Sequence, residues 1–116
     1  MTNFIWITTR REMMHFYPNA PKEVEFLKNM HRHIFHFKVY IQVFHEDRDI
    51  EFILFKRFIE ELLDDFEEDM GSGSCEMIAN FLYEEIKERD KYKGRHIKVE
   101  VSEDGENGVI MDYPNQ

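Results

Sequence analysis

From position 31 to 45 the chain alternates in character at every step. His31, His33, Phe35, Phe37, Val39, Ile41 and Val43 share one parity, while Arg32, Ile34, His36, Lys38, Tyr40 and Gln42 share the other. Side chains two apart on a strand face the same way, so this pattern predicts a long β-strand with one buried and one mostly solvated face. Two histidines open its apolar face. Upstream, Asn3 to Glu12 contains Phe4-Ile5-Trp6-Ile7-Thr8-Thr9, a run of strand formers. His15-Phe16-Tyr17-Pro18-Asn19-Ala20-Pro21 breaks that run with two prolines and reads as a loop, which puts His15 just past the first strand.

After a polar turn at His45-Glu46-Asp47-Arg48-Asp49 the period changes. Phe55, Phe58, Ile59, Leu62 and Phe66 recur at three- and four-residue steps, predicting an amphipathic helix from about Ile53 to Asp65. Gly71-Ser72-Gly73-Ser74 interrupts it. Ser74 is placed to cap a second helix, with Glu76 at the positive end of its dipole and apolar positions at Met77, Ile78, Phe81, Leu82 and Ile86. That helix fades in Lys87-Glu88-Arg89-Asp90. His96 to Val101 reads as a strand, Glu103 to Gly108 as a turn, and Gly108 to Tyr113 as a last short strand. The order β-β-α-α-β-β predicts an α+β fold: a four-stranded antiparallel sheet with both helices on one face, in a single domain over residues 1–116.

The chain's 116 residues suit one domain, and its 42% hydrophobic content with 11 Phe is enough to build a core. With 24 acidic against 15 basic side chains the net charge is −9, which argues against a nucleic-acid groove but leaves room for a small anion held by local cations. The acid run Glu60-Glu61, Asp64-Asp65 and Glu67-Glu68-Asp69 reads as a solvated helix face. A single cysteine, Cys75, excludes an internal disulfide and a four-cysteine zinc site, and fits a reducing compartment. No apolar run approaches the roughly 20 residues of a membrane span. The opening Met1-Thr2-Asn3-Phe4-Ile5-Trp6 lacks the design of a signal peptide. The expectation is a soluble cytoplasmic protein without nucleic-acid or membrane partners.

Histidine is the unusual residue: there are 6, four of them between positions 31 and 45. Catalytic zinc typically takes three protein ligands and leaves the fourth position open. His31 and His33, two apart on one strand, present their rings side by side, and His15 is the candidate third ligand if the first strand pairs with the second. The alternative is a pair of strand-end histidines hydrogen-bonded to neighbours.

Further motifs bear on that choice. Met13-Met14-His15-Phe16-Tyr17-Pro18-Asn19 ends the first strand, and His31-Arg32-His33 runs into Phe37-Lys38-Val39-Tyr40. Ile50-Glu51-Phe52 leads into a helix carrying Lys56, and Gly73-Ser74-Cys75-Glu76 opens the next. Ile97-Lys98-Val99-Glu100-Val101-Ser102-Glu103 is an alternating strand reaching a glutamate. In order and spacing, over nearly the whole chain, this resembles the family of 6-pyruvoyl-tetrahydropterin synthase and 6-carboxytetrahydropterin synthase, the tunnelling-fold (T-fold) pterin enzymes. The resemblance implies zinc bound by His15, His31 and His33, and a ring-anchoring role for Glu103. A carboxylate accepts a planar pair of N–H donors, as an amino-pyrimidine edge offers. Otherwise Glu103 is an exposed turn carboxylate before Asp104-Gly105. The resemblance also implies trimers closed into a barrel and stacked in pairs, hence a homo-oligomer, trimer or hexamer.

The chain departs from the family where protons are moved. The family's Cys, four residues before its His-x-His motif, is replaced here by Leu27. Some family members use a glutamate as the base, which makes Glu25 the candidate; its alternative is a solvated loop acid. The family's Asp-His pair falls near Glu67 and Glu68, so Glu67 is the second catalytic candidate and the histidine is missing. Cys75 stands where the family has a variable residue at a helix start, and reads as a small half-buried side chain. Arg32 replaces the motif's central glycine on the strand face opposite the ligands. Cations for a triphosphate would come from Lys28, Arg32, Lys38 or Arg57, which the sequence does not gather. Two functions follow: a zinc-dependent lyase acting on dihydroneopterin triphosphate with altered proton-transfer residues, or a non-catalytic protein that sequesters or senses a purine- or pterin-like molecule or nucleotide. A third reading, an exposed aromatic sheet that binds a partner, rests only on the Phe count.

Overall fold

The chain's alternating segments become its sheet. In the computed structural model, which describes residues 2–66 and 70–115, β1 (Asn3–His15) and β2 (His31–Val43) pair antiparallel along their whole length. β3 (Ile97–Glu103) lies on the other side of β2, and β4 (Asn107–Tyr113) outside β3, so the order is β1-β2-β3-β4 with every pair antiparallel. Residues of odd number face inward on the first three strands. Ile7, Met13, Phe35, Phe37, Val39, Ile41, Ile97, Val99 and Val101 are all buried.

Two helices cover that face. α1 (Phe52–Asp64) contributes Phe55, Ile59, Leu62 and Leu63, and α2 (Cys75–Lys87) contributes Ile78, Ala79, Leu82, Tyr83 and Ile86, all in one cluster with the sheet residues. α1 packs over β1, and α2 over β3 and β4. Burying such side chains is worth roughly 1.5–3 kcal/mol each, so this interface is the main source of stability. The helix starts obey local chemistry. Glu51 caps α1 by accepting the Ile53 N–H at 2.8 Å, and Ser74 Oγ accepts the Met77 N–H at 3.1 Å to cap α2 as its sequence predicts. No helix among the described residues is long and apolar enough to cross a membrane.

Three boundaries differ from expectation. β1 does not stop at Glu12 but runs through Met13 and Met14 to His15, because β2 supplies ladder partners as far as His31. His15 is therefore the last residue of a strand and not a loop residue. Lys22–Lys28 forms a short 3-10 segment after Pro21, tied back by the Tyr17 N–H donating to the Leu27 carbonyl at 2.7 Å. Further along, β3 extends through Ser102 to Glu103, so the hairpin turn is shorter than the pattern suggests.

A half-enclosed ion pair fixes the opposite end of the sheet. Asp49 accepts the Phe44 N–H at 2.8 Å and the Arg95 guanidinium at 2.8 Å, and Arg95 also donates to the Gln42 carbonyl at 2.9 Å. This ties the turn after β2 to the residues that lead into β3. The Arg95 hydrogen bond, helped by the Phe44 N–H, holds the Asp49 carboxyl down at about 2. A depressed carboxyl stabilises the fold above its unfolded pKa, roughly 3.9, and that contribution disappears as pH falls through the folded value. Asp49→Asn should therefore make the loss of stability between about pH 4 and pH 2 shallower in urea titrations. An unchanged pH dependence would show that the pair does not anchor this end.

Candidate metal centre

The register of β1 on β2 assembles three imidazoles. His15 ends β1 directly opposite His31, which begins β2, and His33 follows on the same inward face. Ring centroids lie 4.5 Å apart for His15 and His31, 4.9 Å for His31 and His33, and 5.5 Å for His15 and His33. One ligand atom from each ring lies within 4.8 Å of the other two. Phe35 packs edge-on against His15 at 5.1 Å.

Each ring is oriented from behind through Nδ1. His15 Nδ1 donates to the Gly73 carbonyl at 2.9 Å, and His31 Nδ1 to the Asn29 carbonyl at 2.8 Å. His33 Nδ1 meets the Asp104 carboxylate at 2.7 Å. Carbonyls and carboxylates only accept, so Nδ1 carries the proton in each neutral ring and the Nε2 lone pair is left for the cavity. Among the described residues, Nε2 of His15 and His33 are buried without a hydrogen-bond partner when the rings are neutral, an arrangement that costs free energy unless a cation fills it. Backing at Nδ1 with a free inward nitrogen is how proteins present histidine to a metal, and the donor set is able to hold an ion.

The backing groups come from loops built for the purpose. Asp104 and Gly105 sit at φ 56° and 70°, as the mirror-image turn of a tight hairpin requires, and an Asp-Gly pair tolerates this. The turn folds across the end of β2: the Asp104 N–H donates to the Ile34 carbonyl at 2.7 Å and its carboxylate accepts the Ile34 N–H at 2.9 Å. That backbone N–H, with His33 beside it, keeps the Asp104 carboxyl below the usual carboxylate range. The Gly71–Ser74 segment runs alongside β1, with the Phe16 N–H donating to the Gly71 carbonyl at 2.8 Å, which brings Gly73 to His15.

Beside the trio lies a cavity of about 480 Å³, lined in part by His15, His31, Phe16, Tyr17, Leu27 and Val109. That is within the usual range for a small-molecule site. Glu103 also lines it, with one carboxylate oxygen 3.1 Å from His15 Nε2 and the other 3.4 Å from His33 Nε2. Cys75 Sγ lies 3.9 Å from the same carboxylate. Burial, and then the charges of Glu103 and Glu76, push the Cys75 thiol up to about 12. It is a buried thiol, more enclosed than the half-buried side chain expected, and its raised pKa keeps little of it as thiolate at neutral pH.

The structure thus brings together His15, His31, His33 and Glu103. Glu25 lies on the 3-10 segment, exposed and 3.8 Å from Lys28, and is not among the residues lining the cavity. Glu67 lies outside the described residues. Leu27 lines the cavity. Arg32 points away from the histidines and pairs with Glu12 at 3.0 Å, and Lys38 lies over the Trp6 ring at 4.3 Å. Among the described residues no lysine or arginine lines the cavity. The residues that sequence reasoning missed are the backing groups. Two of them, Asn29 and Gly73, act through backbone carbonyls that leave no side-chain signal, whereas Asp104 was visible as the first half of an Asp-Gly turn.

These features define an α+β chain with a three-histidine pocket at one end of its sheet. Comparison with models of known protein families and with curated proteins finds no match for it.

The Cys75 environment has a direct chemical consequence. In the native protein at pH 8, iodoacetamide should modify Cys75 at least about tenfold more slowly than in the unfolded chain, since thiolate is the reacting species. Equal rates would mean that the thiol is neither enclosed nor held protonated.

Proposed function

We propose that this protein is a zinc-dependent lyase of the tetrahydropterin-synthase type, acting on a pterin that carries an oxygenated side chain such as dihydroneopterin triphosphate. The observation that carries the reading is the pair of buried, unpartnered Nε2 atoms in a three-histidine cluster, beside a carboxylate at a cavity of about 480 Å³. Three neutral imidazoles suit zinc, which as a Lewis acid would polarise the oxygens of a bound side chain. The chain's own groups do the rest of the binding. His15, His31 and His33 would hold the ion, their rings fixed by Gly73, Asn29 and Asp104. Phe16, Leu27 and Val109 offer apolar walls to a flat ring, and Glu103 is the acceptor for its N–H edge. With Glu25 outside the cavity lining, the reading rests on the histidines and Glu103, and not on a named base.

The T-fold assembly belongs to the same proposal. Among the described residues β1 and β4 each have a partner on one side only, and unpaired edges of 13 and 7 residues invite pairing between copies. A homo-oligomer, trimer or hexamer, in which sheets join edge to edge would cover them, and the free thiol of Cys75 suits a cytoplasmic setting.

A second reading is favoured by specific observations. Leu27 transfers no proton, Cys75 is held protonated, and no basic side chain lines the cavity among the described residues. A protein that keeps the pocket and metal but sequesters an unaltered pterin- or purine-like molecule would look the same.

Incubation with dihydroneopterin triphosphate and zinc separates the two. Turnover that disappears in His31→Ala supports the lyase, whereas stoichiometric retention of unchanged ligand supports the binder. Protein that neither converts nor retains it contradicts both. On a sizing column the protein should elute at about three or six times its 14.2 kDa monomer mass, and elution as a monomer would contradict the edge-to-edge assembly.

A further inference from the structure

We infer that Glu103 is a fourth metal ligand, closing the three-histidine site while the cavity is empty and leaving it when a heterocycle arrives. The inference rests on the metal reading above and adds to it a coupling between ring binding and metal access. Three observations carry it.

The first is distance. Donor atoms on one tetrahedral ion, each about 2.0–2.1 Å from it, stand about 3.3 Å from one another. Glu103 Oε1 lies 3.1 Å from His15 Nε2 and Oε2 lies 3.4 Å from His33 Nε2, so each oxygen faces one imidazole at close to that separation. The second is direction. Both contacts are at ion-pair distance, yet among the described residues neither Nε2 has a hydrogen-bond partner while the rings are neutral, so the carboxylate faces two lone pairs unless a cation stands between them. With Nδ1 of each ring already donating to Gly73 or Asp104, lone pairs and carboxylate are acceptors left facing one space. Acceptors so placed are joined by a cation, either a second ring proton or a metal ion, and cobalt binding tells the two apart.

The third is the enclosure of Glu103 by its neighbours. It is the last residue of β3, held opposite Phe35 in β2 and Asn107 in β4, so its backbone is fixed on both sides. Gly108 passes so close that a Cβ there would collide with the Val101 carbonyl. Only the side chain is free to turn. It has a cavity on one side and the imidazoles on the other, and no lysine or arginine among the described lining residues competes for it. A carboxylate of this kind has two alternative partners: the ion, or a planar pair of N–H donors on a ligand. A heterocycle that engaged Glu103 through its N–H edge would draw the carboxylate away from His15 and His33, leaving those imidazoles with His31 to hold the ion.

Cobalt substitution reads the coordination sphere without requiring turnover. Wild type, Glu103→Ala and the near-isosteric Glu103→Gln are loaded with Co²⁺, each first checked for a native circular dichroism spectrum. The expected result is a visible spectrum in both variants that differs from wild type in band position and intensity, and a Co²⁺ affinity about tenfold or more lower. Adding pterin to the wild type should then move its spectrum toward that of Glu103→Ala. Native-like variants with wild-type affinity and spectrum would overturn the inference while leaving the three-histidine site intact. A wild type that takes up no Co²⁺ would overturn the inference together with the metal reading. If the variants differ as expected but pterin changes nothing, the fourth-ligand role stands and the exchange with the ring is overturned.

Discussion

The site depends on the antiparallel pairing of β1 with β2. That ladder runs for 13 residues and ends with His15 opposite His31. Because side chains alternate, a slip of one residue would turn every inward group of β1 outward and send His15 to the solvated face. The slip is prevented by the core itself: Ile7 and Met13 are buried on the same face as His15, against residues of β2 and α1. The hydrophobic alternation that stabilises the domain is also what sets the third imidazole beside the other two. Stability and site geometry are not separate features here.

The polar groups around the trio work against the core's economy. A buried ring nitrogen without a hydrogen-bond partner costs free energy, and among the described residues two neutral-ring nitrogens are so placed, within ion-pair distance of a carboxylate and near a buried thiol. It also spends an Asp-Gly turn on orienting one ring, and two backbone carbonyls on orienting the others. An ordinary core would fill this end of the sheet with aliphatic side chains. Retaining acceptors that face one another is understandable if a cation joins them, since the same charges then become favourable.

Much of the fold was legible in the sequence because period reports directly on burial. The alternation of 31–43 and the three-and-four spacing of Phe55, Ile59 and Leu62 translate into one strand and one helix, and Ser74 caps where capping chemistry places it. The end of β1 was not legible: Met13-Met14-His15 has little strand signal of its own and is strand because β2 provides partners. The three histidines and Glu103 were readable as candidates and do come together. What could not be read is how they are held, since the Gly73 and Asn29 carbonyls act through the backbone. Nor could spacing alone decide whether Glu25 reaches the cavity. Pro21 starts a 3-10 segment that leaves this residue exposed, beside Lys28.

X-ray absorption at the zinc edge, on protein loaded with zinc and then dialysed, tests the central claim most directly. The account predicts retained zinc with three imidazole nitrogens at about 2.0–2.1 Å and a low coordination number. An ion surrounded only by oxygen, or zinc lost on dialysis, would mean that the meeting of His15, His31 and His33 is structural alone.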